Sequence, residues 1–221
     1  LHFRQILDGL SDSNVRSIVE DDKGFVWLGT PGGLHRYDGV HFKTFEKRSS
    51  DPQSIPDNRI NDLLIDAKNN LWLASYSGLS RYVEENEDFV TYKKEFKSSE
   101  EKYLDALTLF EDPSGQIWAG TQQGIYELDK TFQILSRPHS PSLNQLKSKW
   151  ILSIEAWGEK LLLGTRNGLF LWDERSQSLS EVYTFPKQKL HARIVDICVD
   201  RRAHVWLATI DKGLIRLIPE P

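Results

Sequence analysis

The 221-residue chain is built from one segment that occurs five times. Aligned copies read "FVWLGTPGGLHRYD", "NLWLASYSGLSRYV", "QIWAGTQQGIYELD", "KLLLGTRNGLFLWD" and "HVWLATIDKGLIRLI". One glycine column is intact at Gly33, Gly78, Gly124, Gly168 and Gly213, with spacings of 45, 46, 44 and 45 residues. A regular period of this length is the signature of a repeat architecture, so the fold of one copy predicts the fold of the chain.

Each repeat has the same internal order of strand-like segments and turns. An apolar run such as "VRSIV" or "INDLLI" precedes a turn that begins with aspartate, at Asp21, Asp66, Asp112 and Asp200. A Trp-bearing strand, a turn at the column glycine, a third strand and a fourth such as "HFKTF" follow. Four short strands rich in β-branched and aromatic residues, repeated every ~45 residues, are typical of a β-propeller blade.

The sequence therefore predicts an all-β fold, a propeller of five four-stranded blades in a single domain over residues 1–221. The blades are centred near residues 14–46, 59–93, 105–136, 150–184 and 193–218. The segment at residues 2–7 resembles a fourth strand, and we expect it to complete the last blade and close the ring, which removes exposed sheet edges. The strand offset fits a complete five-bladed ring and five consecutive blades of a larger ring equally well.

Composition excludes several classes of protein. Basic residues number 28 against 32 acidic ones, for a net charge of −4, and no basic stripe is present to track a nucleic-acid backbone. The single cysteine, Cys198, excludes an intramolecular disulfide, and we expect it to be a small buried side chain. No apolar run approaches the ~20 residues of a transmembrane helix. The chain opens at Leu1 and contains no methionine, so we expect it to be a piece of a longer protein.

The glycine-rich turns resemble phosphate-binding loops but are followed by a strand instead of a helix. A small residue precedes a hydroxyl in every copy, at Gly29-Thr30, Ala74-Ser75, Gly120-Thr121, Gly164-Thr165 and Ala208-Thr209. We interpret the small residue as clearance for the neighbouring blade and the hydroxyl as a partner for a backbone group at the strand end. The repetition indicates a structural role.

A polar column runs through the first strand of every blade, at Ser17, Asp62, Thr108, Ser153 and Asp196. These side chains either line a wet central channel or hydrogen-bond between blades, because buried polar groups need partners. A cation site at Asp62 and Asp196 is the alternative, since paired carboxylates suit a hard metal. The structural interpretation is favoured, and no metal is predicted.

The residue that leads into the first strand differs in chemistry from repeat to repeat. This column reads Asn14, Arg59, Asp105, Trp150 and Arg193, and we expect it to surround one mouth of the central channel. Its variation indicates a binding rim on a constant scaffold. Stacking and bidentate bonds from such residues suit a saccharide or an anionic small molecule, and Lys147, Lys149 and His191 add positive charge.

No catalytic constellation emerges, and no cofactor is predicted. The six histidines fall at unrelated positions in the repeat, and no pair of carboxylates is marked by a departure from it. The column at Arg36 reads Arg36, Arg81, Glu127, Leu171 and Arg216, and its repetition favours solvation of strand edges or pairing between blades over chemistry.

The segment "DGLSDSNVRSIVEDDKGFVWLGTPGGLHRYDGVHF" and the following "DPQSIPDNRINDLLIDAKNNLWLASYSGLSRY" resemble the two-component regulator propeller repeat. The resemblance covers residues 1–218 and is weakest in the fourth copy, where Leu162 replaces the tryptophan and the Asp turn is lost. It implies an extracytoplasmic sensor propeller that precedes a transmembrane helix and a histidine kinase, hybrid kinase or diguanylate cyclase.

The resemblance thus implies a non-enzymatic, periplasmic domain of a membrane-anchored bacterial signalling protein. A homodimer is one assembly that we expect for it, and the sequence does not fix the oligomeric state. We expect it to bind a small molecule, a saccharide among the candidates, or a partner domain, and to contact no nucleic acid. A protein–protein interaction platform without a small ligand is one alternative. A lyase similar to the streptogramin-inactivating propeller enzymes is another.

Overall fold

A computed structural model of the protein describes residues 9–94, 104–129, 134–147, 149–184 and 188–218. The chain folds into two compact units, Leu1–Lys93 with Glu100–Ala106 and Lys94–Ser99 with Leu107–Pro221. The expectation of a single domain over residues 1–221 stays a prediction. Residues 2–7, predicted to close the last blade, lie outside the described residues.

The first unit contains two antiparallel sheets in which each strand pairs with the next one along the chain. The first sheet consists of β1 (Ser17–Glu20), β2 (Val26–Thr30), β3 (Gly33–Tyr37) and β4 (Phe42–Phe45). The second consists of β5 (Ile60–Ile65), β6 (Leu71–Ser75), β7 (Gly78–Val83) and β8 (Asp88–Lys94).

The second unit repeats this order. One sheet consists of β9 (Ala106–Glu111), β10 (Ile117–Thr121), β11 (Gly124–Asp129) and β12 (Ile134–Ser136). The next consists of β13 (Ile151–Trp157), β14 (Lys160–Thr165), β15 (Gly168–Asp173) and β16 (Ser178–Glu181). The last consists of β19 (Ile194–Val199), β20 (Val205–Thr209) and β21 (Gly213–Leu217). A short hairpin pairs β17 (Tyr183–Thr184) with β18 (Gln188–Lys189), and a 3-10 turn spans Leu143–Leu146. The all-β prediction of repeated antiparallel sheets is confirmed.

The aspartate that opens each predicted turn organises the first hairpin of its sheet. Asp66 Oδ1 accepts from the backbone N–H groups of Lys68 at 3.0 Å and Asn70 at 2.8 Å, and its Oδ2 accepts from Trp72 Nε1 at 2.9 Å. Asp21, Asp112 and Asp200 make the corresponding indole hydrogen bonds to Trp27, Trp118 and Trp206 at 2.8, 2.7 and 3.0 Å. One carboxylate thus holds both the turn and the aromatic side chain of the strand that follows.

The second hairpin of each sheet closes on the hydroxyl and glycine columns. Thr30, Ser75, Thr121, Thr165 and Thr209 donate to the carbonyls of Gly33, Gly78, Gly124, Gly168 and Gly213 at 2.7–3.1 Å. All five glycines have φ between +66° and +149°, a region that side chains with a Cβ rarely adopt. The expected roles of hydroxyl and glycine are both confirmed.

The glycine that precedes the hydroxyl lets the next sheet approach closely. A Cβ at Gly29 would lie 2.6 Å from Ile60 Cγ2, and one at Gly164 would lie 2.8 Å from Ile194 Cγ2. In both cases the isoleucine belongs to the first strand of the following sheet. The prediction that the small residue provides clearance is therefore confirmed at these positions.

The apolar core of each unit lies between its sheets. In the first unit it includes Trp27, Phe45, Leu63, Tyr82 and Phe89, with the Trp27 and Tyr82 rings 4.9 Å apart. In the second unit one cluster surrounds Trp118, Ile151 and Trp172, and another surrounds Leu162, Ile194 and Leu207. Sheet faces are covered by the neighbouring repeat, which explains why one copy cannot form a core alone.

The fourth repeat loses the aspartate and the tryptophan together. Trp157, which faces Lys160 as Asp66 faces Asn70, and Leu162 occupy the two positions, and Leu162 is 2 % exposed within an apolar cluster. A leucine needs no acceptor, so an aspartate there would have no indole to bind.

Cys198 is exposed, and the expectation that it is buried is wrong. It lies on β19, on the strand face opposite to Ile197, which is buried. Alternating side chains point to opposite faces of a strand, and β19 belongs to the last sheet of the described residues.

None of the described helices is long and apolar enough to cross a membrane.

Candidate functional site

The variable residues predicted to bind a ligand lie at one edge of each sheet. This edge, called the hairpin edge here, carries the turn between the second and third strands and the residue that leads into the first strand. The register shows it directly, because Ile60 pairs with Ser75, Ile151 with Thr165 and Ile194 with Thr209. Asn14, Arg59 and Asp105 belong to the first unit, and Trp150 and Arg193 to the second.

Arg59 is held on two sides within the first unit. Its Nε and Nη2 atoms donate to the two oxygens of Asp57, each at 2.9 Å, and its guanidinium carbon lies 3.7 Å from the ring centre of Tyr76. Hydrogen bonding to Asp57 raises the pKa of Arg59. Burial opposes ionisation of Asp57, but hydrogen bonds from Arg59 outweigh it and lower the pKa of that carboxyl. Arg59 is thus a fixed cation with an exposed outer surface.

Asp105 joins the same edge through Asn61. A register shift between Ile60 and Asp62 takes Asn61 out of the ladder, and its Nδ2 donates to Asp105 Oδ1 at 3.0 Å and to the Ala106 carbonyl at 2.7 Å. β-Bulges of this kind aim a side chain away from the regular sheet.

Asn14 lies at the hairpin edge of the first sheet and is exposed. Its backbone N–H donates to Asp12 Oδ1 at 2.8 Å. That contact shapes the loop and leaves the Asn14 side chain at the surface.

Trp150 and Arg166 form the corresponding pair in the second unit. The guanidinium carbon of Arg166 lies 3.9 Å from the centre of the Trp150 ring. Arg59 and Tyr76 occupy the same two positions of their repeat with the cation and the aromatic ring exchanged. Both pairs place a flat stack of ring and guanidinium at the hairpin edge.

Arg193 is anchored through its backbone. Its N–H donates to Asp211 Oδ1 at 3.0 Å, and its carbonyl accepts from the N–H of Ile210 at 3.1 Å. Its Nε is buried and has no hydrogen-bond partner among the described residues. A guanidinium N–H in this state is a donor without an acceptor.

The sequence prediction missed the partners of these residues. The first residue of the hairpin turn reads Pro31, Tyr76, Gln122, Arg166 and Ile210, and it varies as much as the column that was identified. Variation in this second column is the signal that would have found Tyr76 and Arg166.

The polar residues of the first strands were predicted either to line a wet channel or to hydrogen-bond between neighbouring sheets, and their described contacts differ from one position to the next. Ser17 Oγ donates to Asp62 Oδ1 at 2.9 Å, which confirms the predicted hydrogen bond between neighbouring sheets in the first unit. Ser153 Oγ is buried and has no hydrogen-bond partner among the described residues, so neither interpretation is confirmed at that position. It lies against Gly164, where a Cβ would be 2.2 Å from its oxygen.

The two aspartates of the alternative cation site belong to different units, Asp62 to the first and Asp196 to the second. Asp62 Oδ1 also accepts from Leu63 N at 2.8 Å, and Asp196 Oδ1 accepts from Ile197 N at 2.9 Å. Across the described ranges, no group of three or more His, Cys, Asp or Glu side chains is placed to hold a metal ion.

Arg36 pairs with the neighbouring sheet, as its column predicted. It donates to Tyr82 Oη at 3.3 Å and to Glu87 Oε1 at 3.2 Å.

Comparison with known proteins agrees with the repeat pattern. Residues 9–32 and 54–77 match the two component regulator propeller family. A curated relative, histidine kinase P4 of Formosa agariphila, is 43% identical over 49 residues, which make up 22% of this chain and 4% of that protein.

Solved structures extend the similarity to almost the whole chain. The extracellular domain of the putative hybrid two component system BT3049 from B. thetaiotaomicron is 27% identical over 97% of this chain, with a TM-score of 0.78. The extracellular domain of the putative one component system BT4673 of the same organism is 22% identical over 96% of the chain, with a TM-score of 0.80. The chain spans 30% and 28% of these two structures.

Virginiamycin B lyase from Staphylococcus aureus is 15% identical over 94% of this chain and 71% of its own, with a TM-score of 0.60. At this identity the similarity concerns the fold alone. The fold of this chain is that of a β-propeller protein.

Proposed function

Because residues 9–32 and 54–77 match the two component regulator propeller family, we propose that this chain is a ligand-sensing domain of a bacterial two-component signalling protein. It faces the periplasm and acts without catalysis. Its ligand is a small molecule, a saccharide in our proposal, bound at the hairpin edge.

The observation that carries the proposal is the contrast between scaffold and edge. The hydroxyl and glycine columns keep one set of hydrogen bonds in all five repeats. The residues at the hairpin edge vary between repeats and include the ring–guanidinium stacks at Arg59 and Trp150. Binding residues concentrate on variable loops that a rigid scaffold positions.

The similarity to the extracellular domain of a hybrid two component system supports the compartment. We propose that the parent protein is anchored in the inner membrane and carries a histidine kinase or diguanylate cyclase output. The sheets are stiff, so ligand binding is transmitted as changed packing at the hairpin edge or at the interface of a homodimer.

A thermal-shift screen against neutral and acidic oligosaccharides and common metabolites tests the proposal. We expect a ligand to raise Tm, and Trp150→Ala or Arg59→Ala to reduce that rise. Arg202→Ala is the matched control, because Arg202 is an exposed cation in the Asp200 turn, at the opposite edge of its sheet. A ligand response unaffected by both edge substitutions would place binding elsewhere.

A protein–protein interaction platform is the second candidate, favoured by apolar side chains on the last described sheet. Ile210, Leu214 and Ile218 are 62%, 67% and 59% exposed. Exposed apolar clusters mark contact surfaces. Sedimentation analysis of Leu214→Ser against the wild type tests this alternative: loss of a concentration-dependent assembly would support it, and monomeric behaviour of both proteins would count against self-association.

A further inference from the structure

Positive charge is concentrated at the hairpin edge of the second unit. This edge also includes the connectors that leave the fourth strands, and its described segments are 122–123, 137–147, 149–150, 166–167, 181–182, 188–193 and 210–212. Their described cationic side chains are Arg137, Lys147, Lys149, Arg166, Arg193 and Lys212, and their acidic residues are Glu181 and Asp211. The whole chain carries a net charge of −4, so this edge departs from the average of the molecule.

The cations of this edge have no carboxylate partner among the described residues. Asp211 accepts from the backbone N–H of Arg193, and no carboxylate of the described residues forms an ion pair with the Arg193 guanidinium. At the hairpin edge of the first unit, by contrast, Arg59 is paired with Asp57 and Arg48 with Asp51. Uncompensated cations that share an edge attract an anionic ligand.

Aromatic rings hold these cations in fixed positions. Arg166 stacks on Trp150 at 3.9 Å, and Lys149 Nζ lies 5.1 Å from the ring centre of Phe170. Arg137 lies 4.8 Å from the centre of Tyr126 and donates to the carbonyl of Gln123 at 3.0 Å. Side chains ordered before binding lose less conformational entropy when a ligand arrives.

Acidic side chains do occur further along the strands. Glu155 is half-buried on β13, where burial and then the charge of Asp196 raise the pKa of its carboxyl. Both residues lie past the first residue of their strands, Ile151 and Ile194, and so behind the cations of the edge.

We infer that the hairpin edge of the second unit binds an anionic oligosaccharide. Arg166, Arg193 and Lys149 bind its negative charges, and the stack of Trp150 and Arg166 contacts its sugar ring. The inference rests on the sensing function proposed above and names its ligand class. Guanidinium groups bind carboxylate or sulfate with paired hydrogen bonds, which matches the unpaired Nε of Arg193. The flat stack at Trp150 suits a sugar ring better than a bare inorganic anion.

Isothermal titration of the full chain tests the inference with four probes. Trigalacturonate supplies carboxylates on a sugar chain, galactotriose is its neutral counterpart, sodium sulfate is an anion without a sugar, and oligothymidylate is a phosphodiester chain. We expect trigalacturonate to bind most tightly of the four, and its binding to weaken when NaCl is raised, because salt screens the charges.

Arg166→Gln and Arg193→Gln should each weaken trigalacturonate binding about 10- to 100-fold, the usual loss for a charge-assisted hydrogen bond. Arg166 is exposed, so its variant keeps the test valid even if Arg193→Gln folds poorly. The matched controls Arg202→Gln and Lys68→Gln change exposed cations away from this edge and should leave binding within about twofold.

Galactotriose could bind as tightly as trigalacturonate, and Arg166→Gln could bind trigalacturonate as tightly as the wild type does. These two results together would overturn the anionic assignment and leave the sensing proposal standing. Tighter binding of sulfate or oligothymidylate would overturn the choice of a sugar. Failure of all four probes to bind would overturn the inference, and if in addition no saccharide or metabolite raises Tm in the screen, the sensing proposal itself fails.

Discussion

The indole Nε1 of Trp72 donates a hydrogen bond of 2.9 Å to Oδ2 of Asp66, six residues earlier in the chain. The same contact recurs at three of the other four repeats. Asp66 is 4 % exposed and also accepts from the backbone of Lys68 and Asn70. A side chain of this kind stabilises a turn and a strand at once.

Replacing Asp66 by alanine should lower the free energy of unfolding by about 2–4 kcal/mol, because a buried indole N–H and two backbone N–H groups lose their acceptor. Urea unfolding followed by tryptophan fluorescence measures the change. The double variant Asp66→Ala/Trp72→Leu removes donor and acceptor together, as the fourth repeat does, where Trp157 and Leu162 stand at these positions. Its loss should be smaller than the sum of the two single losses, and simple additivity would contradict the coupling.

Acid should weaken the protein through the same carboxylate. Burial opposes ionisation of Asp66, but hydrogen bonds from Trp72 and Asn70 outweigh it and lower the pKa of Asp66 below its usual value near 3.8. The folded state therefore binds fewer protons than the unfolded state, and the stabilisation is present above about pH 4 and lost as pH falls below it. The urea unfolding midpoint of the wild type should fall between pH 6 and pH 3. The midpoint of Asp66→Asn should fall less over the same range, because the variant has no carboxyl group at this position.

His35 should produce a second pH dependence at a higher pH. It is fully buried, with Ser11 Oγ 2.9 Å from its Nε2 and Thr44 Oγ1 3.1 Å from its Nδ1. Burial lowers the pKa of His35, and the charge of Glu46 opposes that shift only in part. Neutral His35 is therefore favoured in the folded state, so stability is full above about pH 6.5 and falls as pH drops below that value.

Tm measured from pH 8 to pH 5 checks the behaviour of His35. The wild type should lose Tm over the lower part of this range, and His35→Gln should lose less. His41→Gln is the control, since His41 is exposed and lies just before β4 of the same sheet. An equal slope for His35→Gln and the wild type would show that another group titrates.

A methyl group at Gly29 should disturb the packing of the first two sheets. Its Cβ would lie 2.6 Å from Ile60 Cγ2 and 3.4 Å from Leu63 Cγ. We expect Gly29→Ala to cost about 1–3 kcal/mol, the usual range for overpacking. Gly29→Ala/Ile60→Val removes a methyl group from the facing side chain and should recover part of the lost stability. Gly39→Ala is the control for backbone strain alone, because no atom lies within 4 Å of its Cβ position.

Much of the fold followed from the repeat. The order of strands, the aspartate turns, the hydroxyl-capped hairpins and the clearance glycines were all predicted from five aligned copies. These features depend on contacts between residues a few positions apart, so each copy carries the same information. The five variable positions, from Asn14 to Arg193, were also located at one edge of the sheets by that alignment.

Tertiary structure decided what those positions do. Arg59 is neutralised by Asp57 and stacked on Tyr76, while Arg193 has no carboxylate partner among the described residues. The exposure of Cys198, and the lack of a partner for the Ser153 hydroxyl within the described part of the chain, likewise depend on the surrounding sheets. The repeat determined the backbone because strand pairing is local. The environment of a side chain depends on which sheet packs against it, and one copy of the repeat does not contain that information.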